Sequence, residues 1–271
     1  MAIPATPALD HFDYSDAVGL RRLLRYQPGL THRLSKLLQI IGTYLPKGLV
    51  RRLMENPTNE TCPIILEGTV VFADIDGFTA LSEQFSLEAS EAGAEEVTEL
   101  VNRFLELLIN AAAPYGGDLH KFGGDAGLLF FTGNDHALRA TTAALATQQA
   151  MEAMGEIETS LGQFRFQIAI GIASGTLVGV GLGTSMNRKW LLTGAPLQAM
   201  GRAQQAAPPG GIVLHSSAYN RCKLAIQCAP ISASDIFLVN ADELPEAAFD
   251  EPAPPKPPRH VDDVEKLNWL F

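Results

Sequence analysis

Apolar residues recur along this chain in two periods, and the period changes from segment to segment. Leu34, Leu37, Leu38 and Ile41 fall at helical spacing, Pro46 interrupts, and Leu49, Leu53 and Met54 follow, so residues 1–60 read as a helical N-terminal extension. Turn-forming residues between Asn56 and Pro63 mark a boundary. Ile64 to Ile75 is dense in β-branched residues and predicts a strand. Glu88 to Ala112 predicts a long helix, with Val97, Leu100, Val101, Phe104, Leu105 and Leu108 on one stripe. Gly116 and Gly117 end it, and two short strands are expected between Asp118 and Phe131, around Gly123 and Gly124.

A further helix is predicted from about Asp135 to Met154. A hairpin follows from Phe164 to about Gly183, then a polar excursion around Ser185 to Lys189. A short helix near Pro196 to Ala207 and a strand at Gly211 to His215 close the main body. This order predicts an α+β fold, a sheet with helices packed on it, best matched by a ferredoxin-like split βαβ arrangement. The domain is expected to span residues 61–245. Residues 246–271 read as a linker and the start of a further helix: Glu251 to Arg259 holds five prolines, and Val264 to Phe271 resumes a helical pattern. Its apolar end, Trp269-Leu270-Phe271, predicts that another domain follows.

Composition narrows the function classes. With 271 residues and 46% apolar content the chain can bury a sizeable core. A formal net charge of −10 gives no electrostatic footprint for nucleic acid or an anionic membrane. Cys62, Cys222 and Cys228 stand at no metal-ligand spacing and read as free thiols in a reducing compartment. The first residues lack the apolar run of a secretion signal. Phe164 to Gly183 carries only Arg165 as a charge, but its five glycines and period-two apolar positions describe strands, not a helix in lipid. A cytoplasmic protein without a membrane span is expected.

Two motifs carry candidate chemistry. In Phe72-Ala73-Asp74-Ile75-Asp76-Gly77-Phe78-Thr79 an apolar strand delivers Asp74 to its end, and Gly77 turns the backbone into a helix. The amides of Gly77, Phe78 and Thr79 can then face phosphate oxygens. In Lys121-Phe122-Gly123-Gly124-Asp125 an acid follows a glycine turn between two strands. Alone, each is an ordinary turn. In a split βαβ sheet, however, the first and third strands lie antiparallel, so Asp74 and Asp125 converge on one edge. Two such carboxylates repel unless divalent cations bridge them, which is the arrangement a two-metal phosphoryl centre needs.

These motifs, the amphipathic helix ending Asn102-Arg103-Phe104-Leu105-Glu106-Leu107-Leu108, and Gly194 to Leu214 resemble in order the catalytic domain of class III adenylyl and guanylyl cyclases. The resemblance is nearest to the first cyclase domain of the bicarbonate-responsive soluble adenylyl cyclases. It implies a dimeric cyclase fold, as a homodimer or a pseudo-heterodimer with a second cyclase domain, that binds nucleotide at the interface. It also implies two Mg2+ or Mn2+ ions on Asp74, Asp125 and the Ile75 carbonyl, purine contact by Lys121, and stabilisation of the pentavalent phosphorus by Arg202. Two positions depart from the family pattern: Gln198 stands where an asparagine is usual, and Leu191 where a base-selecting Asp or Thr is usual.

The leading expectation is an enzyme converting ATP, rather than GTP, to cyclic AMP and pyrophosphate. The alternative is a regulatory or pseudo-catalytic half that binds nucleotide or bicarbonate and needs a second domain for turnover. A diguanylate cyclase reading is opposed by Ala126, since those enzymes usually carry an acid at that position.

Overall fold

The computed structural model describes residues 63–88, 90–184, 187–231 and 235–240. The N-terminal helical extension and the Pro-rich linker with its following helix lie outside the described residues. Two compact units are distinguished, one containing residues 64–179 and 192–252, the other including residues 180–191.

The larger unit is organised on β1 (Ile64–Ile75), whose β-branched middle lies between two antiparallel neighbours. After β1 come helices α1 (Phe78–Glu88) and α2 (Ser90–Ala112), a short 3-10 turn (Ala113–Tyr115), and a hairpin of β2 (Asp118–Gly123) and β3 (Ala126–Thr132). Helix α3 (His136–Met154) leads to a small separate hairpin, β4 (Glu156–Thr159) and β5 (Gly162–Arg165). The chain continues through β6 (Ile168–Thr184), β7 (Asn187–Thr193), α4 (Ala195–Gln205), β8 (Ile212–His215), α5 (Ser216–Cys222), β9 (Cys228–Pro230) and β10 (Ile236–Val239). The main sheet runs β2-β3-β1-β6-β8-β10-β9, with β7 paired to β6 off this path. The mixed α+β architecture agrees with the expectation from sequence.

Alternation along the strands sorts side chains onto two faces. Val71, Ala73, Ile75, Ile168, Ile170 and Ile172 share one buried cluster with Phe85, Phe104, Leu108 and the alanines of α3. Val70, Ala173 and Leu177 belong to a second cluster that includes Met200 of α4. β6 and β8 are parallel, and α4 is part of the crossover that joins them.

The long helix predicted from Glu88 is α2, and the helix expected after Gly77 is α1. Two expectations are corrected. The hairpin predicted between Phe164 and Gly183 is absent: from Ile168 onward the chain is a single strand, and the hairpin lies earlier, at Glu156–Arg165. Within β6, Gly171 serves close packing. A Cβ on Gly171 would lie 2.3 Å from the Gln204 amide nitrogen and 2.4 Å from the Met200 carbonyl oxygen, so its absence lets α4 rest directly on the sheet. The polar stretch around Ser185 to Lys189 includes the start of β7 rather than only a loop.

Among the described residues this strand path ends in β2, which carries His120 and Lys121, and in the three-residue β9, which ends on Pro230. No helix among the described residues is long and apolar enough to cross a membrane.

Candidate active site

The acidic motif sits where β1 ends. Asp74 pairs in register with Ala126 of β3 on one side and Ala169 of β6 on the other. Just beyond, the Ile75 amide donates to the Asp125 carbonyl at 3.4 Å and the Asp76 amide donates to the Gln167 carbonyl at 2.8 Å. The strand end is therefore held from both sides. Asp125 is the second residue of the two-residue turn between β2 and β3, and Gly124 takes the positive φ of 63° that such a turn demands. Antiparallel pairing thus brings together two acids far apart in sequence, as the motifs predicted.

The electrostatics of this edge are adverse. Burial, then the charges of Asp125 and Asp76, push the Asp74 carboxyl up from the ordinary 3.8 to about 6. Among the described residues no lysine or arginine forms an ion pair with Asp74 or Asp125. Among the described residues, Asp74 Oδ2 accepts only a long hydrogen bond, 3.5 Å, from the Gln204 side-chain amide. Half-buried carboxylates held together without a protein cation suit an external one.

A divalent cation fits the chemistry of these donors, which are hard oxygens: the Asp74 and Asp125 carboxylates beside the Ile75 main chain. No group of three or more His, Cys, Asp or Glu side chains among the described residues is arranged to hold a metal. An ion here would depend on two carboxylates, main-chain oxygen and groups from solvent or substrate.

The remaining candidates are distributed around the fold. Gly77 has φ 74° and its carbonyl accepts from Leu81, so α1 begins directly after the acidic motif. The amides of the first turn lack partners within the helix. Thr79 is exposed, whereas the Phe78 side chain is 5% exposed and anchors the helix in the core, which leaves Phe78 only its amide to offer. Lys121 is exposed on β2, immediately after a bulge at His120. Burial, with the Lys121 charge, lowers the His120 pKa. Leu191 is an exposed residue of β7, in the smaller unit. Gln198 and Arg202, one helical turn apart, lie on the exposed face of α4.

The Arg202 guanidinium does not bond Asp74 or Asp125. Nη2 donates to Asp235 Oδ2 at 3.2 Å, and His215 Nε2 lies 2.7 Å from the same oxygen. The sequence reading missed Gln204, His215 and Asp235. Gln204 was open to notice, two residues past Arg202 on a predicted helix, but nothing local marks Asp235.

Comparisons with known proteins identify the family to which this fold belongs. Residues 65–240 match the family described as adenylate and guanylate cyclase catalytic domain. Adenylate cyclase type 10 of Mus musculus is 25% identical over 158 residues, which is 58% of this chain and only 10% of that protein's length. The adenylyl cyclase CyaB from P. aeruginosa superposes with a TM-score of 0.54 at 25% identity, covering 66% of this chain and 96% of that one. The guanylate cyclase domain of RhGC from Catenaria anguillulae, solved with GTP, has the same fold, with a TM-score of 0.57 at 24% identity over 66% of this chain and 100% of that one. A β1 edge bearing paired acids, within a sheet and helix order shared with cyclase domains and a match spanning residues 65–240, leads to one conclusion: this chain belongs to the adenylate and guanylate cyclase catalytic domain family.

Proposed function

We infer that the chain is the cyclase module, residues 61–245, of an enzyme that converts ATP to cyclic AMP and pyrophosphate. The ribose 3′-oxygen attacks the α-phosphorus, the bond from that phosphorus to the β-phosphate oxygen breaks, and the hydroxyl proton leaves to solvent or a nearby base. The observation that carries this reading is the acidic edge: Asp74 is driven up to about 6 by burial and two neighbouring acids, and no protein cation is paired with it among the described residues. Such a cost is retained where it serves a ligand.

Asp74 and Asp125, with the Ile75 carbonyl, would hold two Mg2+ or Mn2+ ions. When bound, these supply Lewis acidity that activates the 3′-hydroxyl and neutralises the triphosphate. The amides of Gly77, Phe78 and Thr79 face phosphate oxygens at the start of α1. Lys121 contacts the purine, and Gln198 orients the ribose or phosphate from α4. Arg202 stabilises charge on the pentavalent phosphorus, for which a permanently charged, forked donor is suited. ATP is preferred over GTP because of the likeness to adenylate cyclase type 10. Leu191, however, offers the base neither donor nor acceptor.

Arg202 bonds Asp235 within its own chain, and not the acidic edge. That observation supports a centre completed at a domain interface, in a homodimer or with a second cyclase domain, and it gives weight to a second reading. In that reading the chain is a regulatory half, binding nucleotide or bicarbonate and turning over only with a partner domain.

The test is cyclic nucleotide formation by the purified chain with Mn2+ and ATP or GTP, with and without bicarbonate. Asp74→Ala should abolish it; product at the wild-type rate overturns the metal assignment. Nucleotide binding without product, with activity appearing on addition of a second cyclase domain, identifies the regulatory half.

A further inference from the structure

Arg202 belongs to a chain of hydrogen bonds that begins inside the sheet. The Ser174 amide, on a residue only 4% exposed, donates to Ser217 Oγ at 3.1 Å. Ser217 in turn places its hydroxyl at 2.9 Å and its amide at 3.2 Å from His215 Nδ1. A backbone amide can only donate, so Nδ1 is an acceptor and the ring hydrogen sits on Nε2. That hydrogen points to Asp235 Oδ2, 2.7 Å away. The 3.2 Å approach of Arg202 Nη2 to His215 Nε2 is then a meeting of two donors at one acceptor, not a bond between them.

Asp235 is fixed from its backbone as well. Its carbonyl accepts from the Ser216 amide at 2.7 Å, and the next residue, Ile236, pairs in register with His215. Desolvation works against ionisation of Asp235, but the His215 hydrogen bond and the nearby Arg202 charge outweigh it, so its carboxyl titrates below the ordinary range. An isolated surface Arg–Asp pair would be loose and weak. Here the carboxylate is oriented by an imidazole whose other nitrogen is tied to the sheet. The Arg202 side chain remains 57% exposed, so one edge of the guanidinium is held and much of the rest is open to an anion.

We propose that Asp235, oriented by His215, is the positioning residue for Arg202: it clamps one edge of the guanidinium so that the free edge meets phosphate in a fixed orientation. The proposal rests on the reading of Arg202 as the phosphate-facing arginine. A donor aimed before the substrate arrives need not be ordered during the reaction, which is where such a clamp lowers the barrier.

Two measurements on the full chain test it. Asp235→Asn keeps the shape and removes the charge; it should lower kcat about tenfold with little change in KM, and Asp235→Glu should recover part of the loss. In an Arg202→Ala background Asp235→Asn should cost nothing further, whereas a merely structural role would cost the same in both backgrounds. Independently of turnover, nitrogen NMR should show the Nε2–H form of His215 and slowed rotation of the Arg202 guanidinium, with the slowing lost in Asp235→Asn. Wild-type kcat in Asp235→Asn, equal losses in both backgrounds, or a guanidinium equally mobile in both proteins overturns the clamp. If the wild-type chain makes no cyclic nucleotide even with a second cyclase domain added, the spectra decide alone: a guanidinium freed by Asp235→Asn upholds the clamp while the cyclase reading fails.

Discussion

The two ends of β1 treat polar side chains in opposite ways. Toward its start, Thr69 is fully buried, yet its hydroxyl lies 2.6 Å from both His136 Nδ1 and Ser174 Oγ. Nearby, Glu67 accepts from Thr176 at 2.9 Å and pairs with Arg221. At the other end Asp74 has two acidic neighbours and, among the described residues, only a long bond from Gln204. The same strand thus shows that this fold can satisfy buried polar groups, and that at its C-terminal edge it does not. A fold that solves the problem at one end and leaves it open at the other points to a ligand at the open end.

Substitutions at each end separate the two cases. Asp74→Ala should reduce cyclic nucleotide formation about a thousandfold, as measured by product release with Mn2+, while leaving the fold intact. Thr69→Val should do the reverse. It strips the buried His136 and Ser174 side chains of a shared partner at a cost of about 2 kcal/mol, read as a lower midpoint in urea, with substrate affinity unchanged.

Asp74→Asn sharpens the contrast through pH. The native pKa of Asp74, about 6, lies above its ordinary 3.8, so the folded state holds this proton more tightly than the unfolded chain does. The resulting penalty is absent below about pH 4, grows as pH rises through 6, and is complete above it. After a discount for solvent exposure it amounts to about 1 kcal/mol. Chelated Asp74→Asn protein should therefore melt about 2–4 °C above wild type at pH 7.5 and match it near pH 4. The smallest effect belongs to Arg221→Ala. Its ion pair with Glu67 is nearly half exposed on both partners, so thermal unfolding should show a loss of less than about 1 kcal/mol.

Much of this was legible in the sequence because it is local. The β-branched run of β1, the Gly124-Asp125 turn and the antiparallel return of β3 bring Asp74 and Asp125 together, and each is written in adjacent residues. The extent of β6 was not legible because the period-two pattern marks strand without saying where one strand stops, and the contact that Gly171 makes with α4 is distant in sequence. Gln204 and Asp235 escaped for another reason. Their contacts span 130 and 33 residues respectively and depend on where α4 settles on the sheet, which no periodicity encodes.

The two strands that end the sheet path have a consequence for how copies of this chain can associate. Pro230 brings no amide to the rim at β9, and the opposite rim carries the Lys121 charge beside a bulge. Neither offers the regular ladder of donors and acceptors that a further strand would zip onto. Addition of a further strand at either of these two rims is therefore disfavoured.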